Sequence, residues 1–378
     1  MTSLAGSKKH NDVVIVGAGP AGSAAAKTCA AAGLDTLLVE MRTLPREKVC
    51  SGLIVSKVAQ RLVRDIFGEI PRDVLADPYC YKGVMVYVFG ASPLAIENKI
   101  PVGWRRDIDF WMTQKAKDAG AQVIDDCIVR GAQIENNGVK LRMMQGGRES
   151  TIRASYVIAA DGVKSCIRKS VFPELAVSYQ QEIREIYEGN FPLDRNWYHA
   201  FYSPGKSWFD INHRGPTFCL EVSAKPGEVK ERLRQVKKTL QQEYDFNPRT
   251  PPLRREACME PRIHEQLIDG TFRPAKERVL LTGDAAGFQL PTSEGIGSAL
   301  MSGLLAAESV IDAFNSGGQA ADKYLHKTAA IIKVIEQQLM MAKQSRYNES
   351  KWNLKEIVEG IRALQMRAMF EDDFSYGP

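Results

Sequence analysis

The sequence predicts an α/β protein in which a mostly parallel sheet with helices on both faces is interrupted by an antiparallel sheet and followed by a helical region. Three observations predict it. Residues 12–40 read as strand, glycine-rich turn, small-residue helix and second strand, DVVIVGAGPAGSAAAKTCAAAGLDTLLVE. Two later apolar strands stop at acid–glycine steps, Asp161-Gly162 and Gly283-Asp284. Between them, residues 182–222 alternate apolar and polar positions and hold Tyr187, Trp197, Tyr198, Phe201, Tyr202, Trp208, Phe209 and Phe218, which fits antiparallel strands.

Size and composition support this organisation. A chain of 378 residues is longer than one typical domain. Its 44% apolar and 25% charged residues are those of a globular protein. The net charge of +5 comes without a lysine–arginine run or a basic stripe interleaved with aromatics, which argues against nucleic acid as a partner. An anionic protein or a membrane surface suits it better. The seven cysteines are odd in number and form no CxxC, so neither a disulfide framework nor a zinc site is expected, and a reducing, cytoplasmic compartment is. The histidines make no metal-ligand pattern. Residues 1–11 are polar and lack the apolar core of a signal peptide. The nearest thing to a membrane span, residues 296–314, carries glycine, serines, Glu308 and Asp312 and reads as a buried helix.

Taken in order, the first strand (residues 12–16) enters the turn Gly17-Ala18-Gly19-Pro20-Ala21-Gly22. The helix runs to about Ala32 and the second strand to Glu40. An amphipathic helix is expected over 56–67, strands over 84–89 and 122–124, and a helix over 107–119. Residues 139–144 and 150–153 suggest a hairpin around Gly146-Gly147, and 156–160 a separate buried strand. After the aromatic stretch come a charged helix (228–244), a buried strand (278–282), a long small-residue helix to about Phe314, and a mainly helical end, with residues 339–341 and 364–369 supplying apolar faces. The pieces at 11–75, 105–170 and 270–320 are expected to form one nucleotide-binding domain. Residues 78–104 and 175–262 would form an inserted domain, and 321–378 a C-terminal helical region.

The chemistry of the first stretch is specific. Gly17 permits the tight turn, Gly19 allows close approach of a pyrophosphate, and Gly22 with Ala24–Ala26 brings the helix against the sheet. The N-terminus of that helix presents free N–H groups and a positive dipole end to phosphate. Glu40, at the tip of the second strand, is placed to accept ribose hydroxyls. Asp161-Gly162 forms a loop whose backbone can meet a phosphate or ribose, although alone it reads as a turn. Asp284 can accept from a sugar-alcohol hydroxyl. The helix that begins near Gly295-Ile296-Gly297 aims its N–H groups at whatever lies before it, which would stabilise negative charge there.

The order GxGxxG, Asp-Gly near 161 and Gly-Asp near 283 resembles FAD-dependent oxidoreductases of the aromatic-hydroxylase type. Within them, Lys48-Val49-Cys50-Ser51-Gly52-Leu53 and the run GDAAGFQLPTSEGIGSALMSGLLAAE (283–308) resemble the geranylgeranyl reductase family. The resemblance implies a Rossmann-like FAD-binding domain with an inserted antiparallel-sheet substrate domain. It also implies a Cys50 turn over the flavin, Arg106 reaching toward FAD, and Met41 and Val129 in the cofactor set. Met41 stands where that family has a basic residue, and Ser51 replaces a glycine. The family pattern Tyr-x-Trp-x-Phe-Pro reads here Lys206-Ser207-Trp208-Phe209-Asp210-Ile211, so the likeness carries FAD further than it carries an isoprenoid substrate.

The resemblance implies hydride transfer from reduced flavin to a C=C bond of a hydrophobic, isoprenoid or lipid-like substrate, for which the aromatic sheet could line a channel. Two alternatives stay open: an oxygen-using hydroxylase and an electron carrier to quinone. Cys50, Tyr202, His199 and His213 are the candidates for proton transfer, each readable equally as core. No second glycine-rich βαβ unit is visible, so the electrons would come from transiently docked NADPH or from a reduced ferredoxin, whose acidic surface the basic chain suits. The C-terminal helices would cap the pocket, form a dimer face or rest peripherally on a bilayer.

Overall fold

The computed structural model describes residues 10–202, 208–348 and 354–370, with backbone alone at 344–348, 354, 364, 365 and 367–370. Lys206 and Ser207, and the side chains of most of the expected 364–369 apolar face, lie outside the described residues. The elements are β1 (His10–Val16), α1 (Pro20–Ala31), β2 (Thr36–Val39), α2 (Lys57–Phe67), β3 (Cys80–Val88), β4 (Leu94–Pro101), α3 (Arg105–Asp118) and β5 (Gln122–Ile124). There follow β6 (Cys127–Glu135), β7 (Gly138–Gln145), β8 (Arg148–Ala159), α4 (Cys166–Val171), β9 (Ser178–Glu188), β10 (Tyr198–Tyr202), β11 (Phe209–Arg214) and β12 (Thr217–Ala224). The chain ends with α5 (Val229–Tyr244), β13 (Arg254–Arg262), α6 (His264–Ile268), β14 (Ala275–Lys276), β15 (Val279–Leu281), α7 (Gly283–Ala286), α8 (Ile296–Ser316), α9 (Ala320–Asn348) and α10 (Leu354–Phe370).

The first sheet has eight strands: β14-β15-β8-β1-β2-β5, parallel except for β14, with β7 and then β6 added antiparallel to the first half of β8; its central runs 13–16, 37–39, 156–159 and 279–281 are apolar because helices cover both faces. The expected hairpin arm and the following buried strand are one element, β8. Its first half pairs antiparallel with β7, and its second half lies parallel to β1 and β15. No turn residue separates the halves, so the sequence offered no physical reason for a break there. The turn after β1 is packed without slack: a Cβ on Gly22 would lie 1.8 Å from the Gly17 carbonyl oxygen, and one on Gly17 would lie 2.3 Å from that of Ala160. A third close approach went unread in the sequence. Gly303, inside α8, faces the Ala21 carbonyl at 2.2 Å from its would-be Cβ, so α8 crosses directly against α1.

The second sheet runs β13-β9-β12-β11-β10-β3-β4. It is mixed rather than purely antiparallel, since β10 lies parallel to β3. The chain crosses between sheets between those strands, through the first sheet's material, and a crossover of that length allows parallel return. Its two faces differ sharply. Tyr187, Phe191, Phe201, Phe209 and Phe218 pack with Val229, Leu233, Val236 and Leu240 of α5 into a separate core. The opposite face, carrying Val84, Tyr198, Ala200, Tyr202, Asp210, Glu221 and Glu182, lines a cavity. Of the described helices, α8 alone is long and apolar enough to cross a membrane, and 78% of that stretch is buried inside the protein.

Candidate active site

One cavity of about 2320 Å³ connects the strand ends of the first sheet with the bare face of the second. That exceeds the few hundred to ~1,000 Å³ of a single-ligand pocket and leaves room for a dinucleotide and a substrate together. Gly17, Gly19, Pro20, Ala21, Glu40 and Met41 border its end at the first sheet. Gly22 does not; its task is the tight helix–turn packing. A Cβ on Gly19 would meet nothing closer than Arg46 Nη2 at 3.7 Å and Arg105 Nη2 at 4.0 Å. The space over the helix N-terminus is thus open and flanked by two guanidinium groups, the surroundings a pyrophosphate needs.

Those arginines belong to a buried network. Glu40, 4% exposed, accepts from the Ala18 N–H at 3.0 Å and the Arg42 N–H at 3.1 Å, and pairs with Arg46 Nε at 3.0 Å. Arg46 also reaches Asp109 at 3.1 Å, and Arg105 holds Asp109 through two bonds of 2.7 and 2.9 Å. Burial lowers the Arg105 pKa, but Asp109 and then the Cys50 sulfur beside it override that, raise it, and keep the guanidinium charged. The arginine expected at this point was Arg106. It is instead 48% exposed and turned to Asp107. Residues 105 and 109 share the inner face of α3, and one step along a helix rotates position 106 by ~100° toward solvent.

The loop after β2 touches both ends of the cavity, pairing Arg46 with Glu40 and Asp109 and Glu47 with Arg254 of β13. Cys50 and Ser51 line the cavity. The Gly103 N–H donates to the Gly52 carbonyl at 3.2 Å, the Gly52 N–H donates to Cys50 Sγ at 3.4 Å, and Arg184 of the second sheet donates to the Cys50 carbonyl. The cysteine is therefore held by two arginines, Arg105 at its sulfur and Arg184 at its carbonyl.

At the second strand end, Gly162 borders the cavity with open space around it, while the Asp161 carboxylate is turned inward. It accepts from Ser165 Oγ and from the Cys166 and Ile167 N–H groups at 2.7 and 3.2 Å, capping α4; burial nonetheless raises its pKa. Arg168 donates to the Val163 carbonyl at 2.7 Å, the Ala285 carbonyl at 2.8 Å and the Asp284 carbonyl at 3.3 Å, tying this loop to the next. Gly283, Asp284, Gly295 and Ile296 line the cavity there. Gly297 packs behind it, against Ala59 and Ser56 of the α2 start. The free N–H groups expected at the α8 N-terminus are partly taken: Glu294 accepts from Gly297 N–H at 2.8 Å. Val129 is not on the cavity. Its side chain is buried in β6 and its carbonyl accepts from Cys166 Sγ at 3.1 Å, while Cys127, two residues earlier, borders the space.

Strand alternation divides the proton-transfer candidates. Tyr202 faces the cavity, its ring 4.9 Å from that of Trp208. His213 points the other way; it accepts from the Phe191 N–H at 3.1 Å and lies 3.0 Å from the Phe191 carbonyl on the α5 side. His199 is also on that side, at 3.1 Å from the Tyr87 hydroxyl and 2.8 Å from the Asp194 carbonyl. Successive residues on a strand face opposite ways, so Tyr198 and Tyr202 share the cavity face and His199 cannot. Half of the eight aromatics expected to line a channel, Tyr187, Phe201, Phe209 and Phe218, are in the α5 core for the same reason. Tyr198, Asp210, Glu221, Glu182 and Cys258 stand on the cavity face and were not among the proton-transfer candidates read from the sequence. Their signal is there: polar residues two apart, Asp210-Asn212-Arg214 and Glu182-Arg184, with Phe209, Ile211 and Ile183 among their neighbours.

These features have counterparts in known proteins. Residues 104–338 match the FAD binding domain family and residues 11–75 the pyridine nucleotide-disulphide oxidoreductase family. A digeranylgeranylglycerophospholipid reductase of Methanosarcina mazei is 30% identical over 341 residues, covering 82% of this chain and 77% of that protein. The chain belongs to the geranylgeranyl reductase family of FAD-dependent oxidoreductases. A chloroplastic geranylgeranyl diphosphate reductase of Arabidopsis thaliana is 26% identical, covering 83% of this chain and 70% of its own. The fold of this reductase-family chain superposes on a geranylgeranyl bacteriochlorophyll reductase-like protein of Thermoplasma acidophilum with a TM-score of 0.72. The two are 20% identical, with 95% and 96% of the chains covered. FAD is the cofactor of this flavoprotein, and the open, arginine-flanked turn at Gly19 fits it.

Proposed function

We propose that this flavoprotein reduces carbon–carbon double bonds of an isoprenoid or other lipid-like substrate. The observation that carries the reading is the single cavity running from the Gly19 turn, past Cys50, to the apolar corner formed by Leu53, Val84, Ala200, Tyr202 and Trp208. The reductases named above act on geranylgeranyl-bearing molecules, and an alkene carbon must reach the cofactor through such a corner.

In this reading Gly17, Gly19, Pro20 and Ala21 with Arg46 and Arg105 hold the pyrophosphate, and Glu40 holds the adenosine ribose at the edge marked by Met41. Gly162 and Asp284 meet the ribityl chain, and Gly295 and Ile296 the ring. When bound, FAD supplies a hydride to one carbon of the double bond. The chain's own residues do the rest. Arg105 keeps charge at the cofactor's centre, the Cys50 loop separates cofactor from substrate, and Leu339, Met341 and Ile361 of α9 and α10 close the cavity from the side opposite the sheet. The alternating apolar and acidic lining orients the alkene and leaves the proton to an ionisable group.

Electrons come from outside the chain, from NADPH docking transiently or from a reduced ferredoxin. We place the protein in a reducing, cytoplasmic compartment, consistent with seven free thiols, where it meets lipid at a membrane edge. The test is anaerobic. Chemically reduced holoenzyme mixed with geranylgeranyl diphosphate should regain its oxidised absorbance and release product enriched in hydrogen at former double bonds. Product carrying oxygen, formed only in air, would move the assignment to a hydroxylase. Stopped-flow reduction by NADPH alone, if rapid, would remove the need for a ferredoxin.

A further inference from the structure

The cavity face of the second sheet carries ionisable groups that the reaction above has not used. Register sets them side by side. Asp210 lies opposite Glu221, Glu221 opposite Arg184, and Arg184 opposite Glu256. One step along, Glu182 sits between Ser223 and Cys258. Like charges directly opposed destabilise a strand pair, so these carboxyls do not all ionise together.

Partners decide which do. Glu221, 3% exposed, accepts from Asn212 Nδ2 at 3.4 Å and stands beside Arg184. Glu256 pairs with Arg184 and, at 3.0 Å, with Arg254. Glu260 accepts from Gln289 at 2.8 Å, Ser293 at 3.2 Å and Arg262 at 2.8 Å. Glu182 has weaker company: Cys258 Sγ at 3.8 Å, a poor donor. The groups that face it are Glu221 from β12, Glu260 from β13, Cys50 from the loop above and Asp210 from β11. Arg184, two residues along the same strand, is committed to Glu256 and the Cys50 carbonyl, and Lys48 acts on Cys258. Burial first, and then these neighbours, raise Glu182 well above the ordinary carboxyl range. Asp210, beside Tyr198, is raised to about 8 by burial and by Glu221.

We propose that the Glu182 carboxyl is the general acid of the double-bond reduction, giving its proton to the alkene carbon that does not receive hydride. This rests on the reductase reading. The step balances: hydride brings one electron pair to the first carbon, and the π pair of the double bond forms the second C–H bond with the Glu182 proton. The Glu182 O–H bond breaks to leave a carboxylate, which solvent reprotonates through the cavity. Glu182 lines the same space as Cys50, Asp284 and Gly295, and stands on the bare face of the second sheet with Tyr198, Ala200 and Tyr202.

The test compares wild type with Glu182→Gln, which keeps size and hydrogen bonding but has no acidic proton, and Glu182→Asp, which keeps a shorter acid. Infrared difference spectra of the oxidised holoenzyme at neutral pH should show a protonated-carboxyl band that Glu182→Gln lacks. In anaerobic single turnover with geranylgeranyl diphosphate, Glu182→Gln should slow reoxidation by about 10²- to 10⁴-fold, as loss of a general acid does. Its flavin content and melting temperature should be unchanged, and Glu182→Asp should recover part of the rate. The wild-type rate should fall as pH rises through the carboxyl's titration. Full-rate Glu182→Gln, or a carboxyl band unaffected by it, overturns the general acid and leaves the reductase standing. Wild type that is not reoxidised by the substrate overturns the reductase reading and this inference with it.

Discussion

Gly22 shows how little freedom a single position in this site has. Its missing side chain is where the Gly17 carbonyl lies, 1.8 Å from any Cβ, and that carbonyl belongs to the backbone of the turn itself. A methyl group there moves the turn and the N–H groups it presents. Gly22→Ala is expected to weaken FAD at least about tenfold, or ~1.4 kcal/mol, in a fluorescence titration of the apoprotein. Undiminished affinity would show that the turn relaxes freely. The residue scale is also where sequence and structure diverged most. Arg105 and Arg106 are adjacent and identical in type, and only helix phase places one against Asp109 and the other in solvent. His213 and Asn212 stand in the same relation on β11.

At the scale of elements, the cofactor loops after β8 and β15 come from distant parts of the chain and are joined by Arg168. Its guanidinium is 1% exposed and satisfies three carbonyls across the two loops. Removing a buried charge that serves several acceptors leaves them unpaired. Arg168→Met should cost roughly 2–4 kcal/mol in chemical denaturation and loosen bound flavin. Denaturation indistinguishable from wild type would mean that water replaces the guanidinium. Both loops were legible in the sequence; that Arg168 ties them together, across more than a hundred residues, was not. The same holds for the two faces of the second sheet. Its alternation was legible, but which side α5 covers depends on how a helix 229–244 packs back, and that is a tertiary choice.

For the molecule as a whole, the acidic cavity makes stability depend on pH in a defined direction. Burial lowers His199 to about 4 and lowers His213 and His264 below 6.5, so above neutrality these rings are uncharged whether folded or unfolded and add no slope. Asp210 is different. Folded, it holds its proton up to about 8, whereas unfolded it loses it near 3.8. The native state carries the extra proton between those values, so unfolding free energy falls as pH rises through the window. Between pH ~6.5 and ~8.5 the wild-type melting temperature should drop more than that of Asp210→Asn. Equal drops would mean Asp210 is ionised in the folded chain.

Local patterns along this chain were enough to establish a nucleotide-binding α/β protein, its glycine turn, the acid Glu40 at the end of β2, the Asp-Gly and Gly-Asp loops and the likeness to flavin-dependent reductases. Each of those depends on neighbours a few residues apart, where backbone geometry and periodicity act. What needed three dimensions was the other half of the site: the Glu40–Arg46–Asp109–Arg105 network, the Gly303 crossing, and the row Asp210–Glu221–Arg184–Glu256 with Glu182 beside it. These contacts join segments far apart in the chain, and no local rule says which strand will lie next to which or which face will be left bare for substrate.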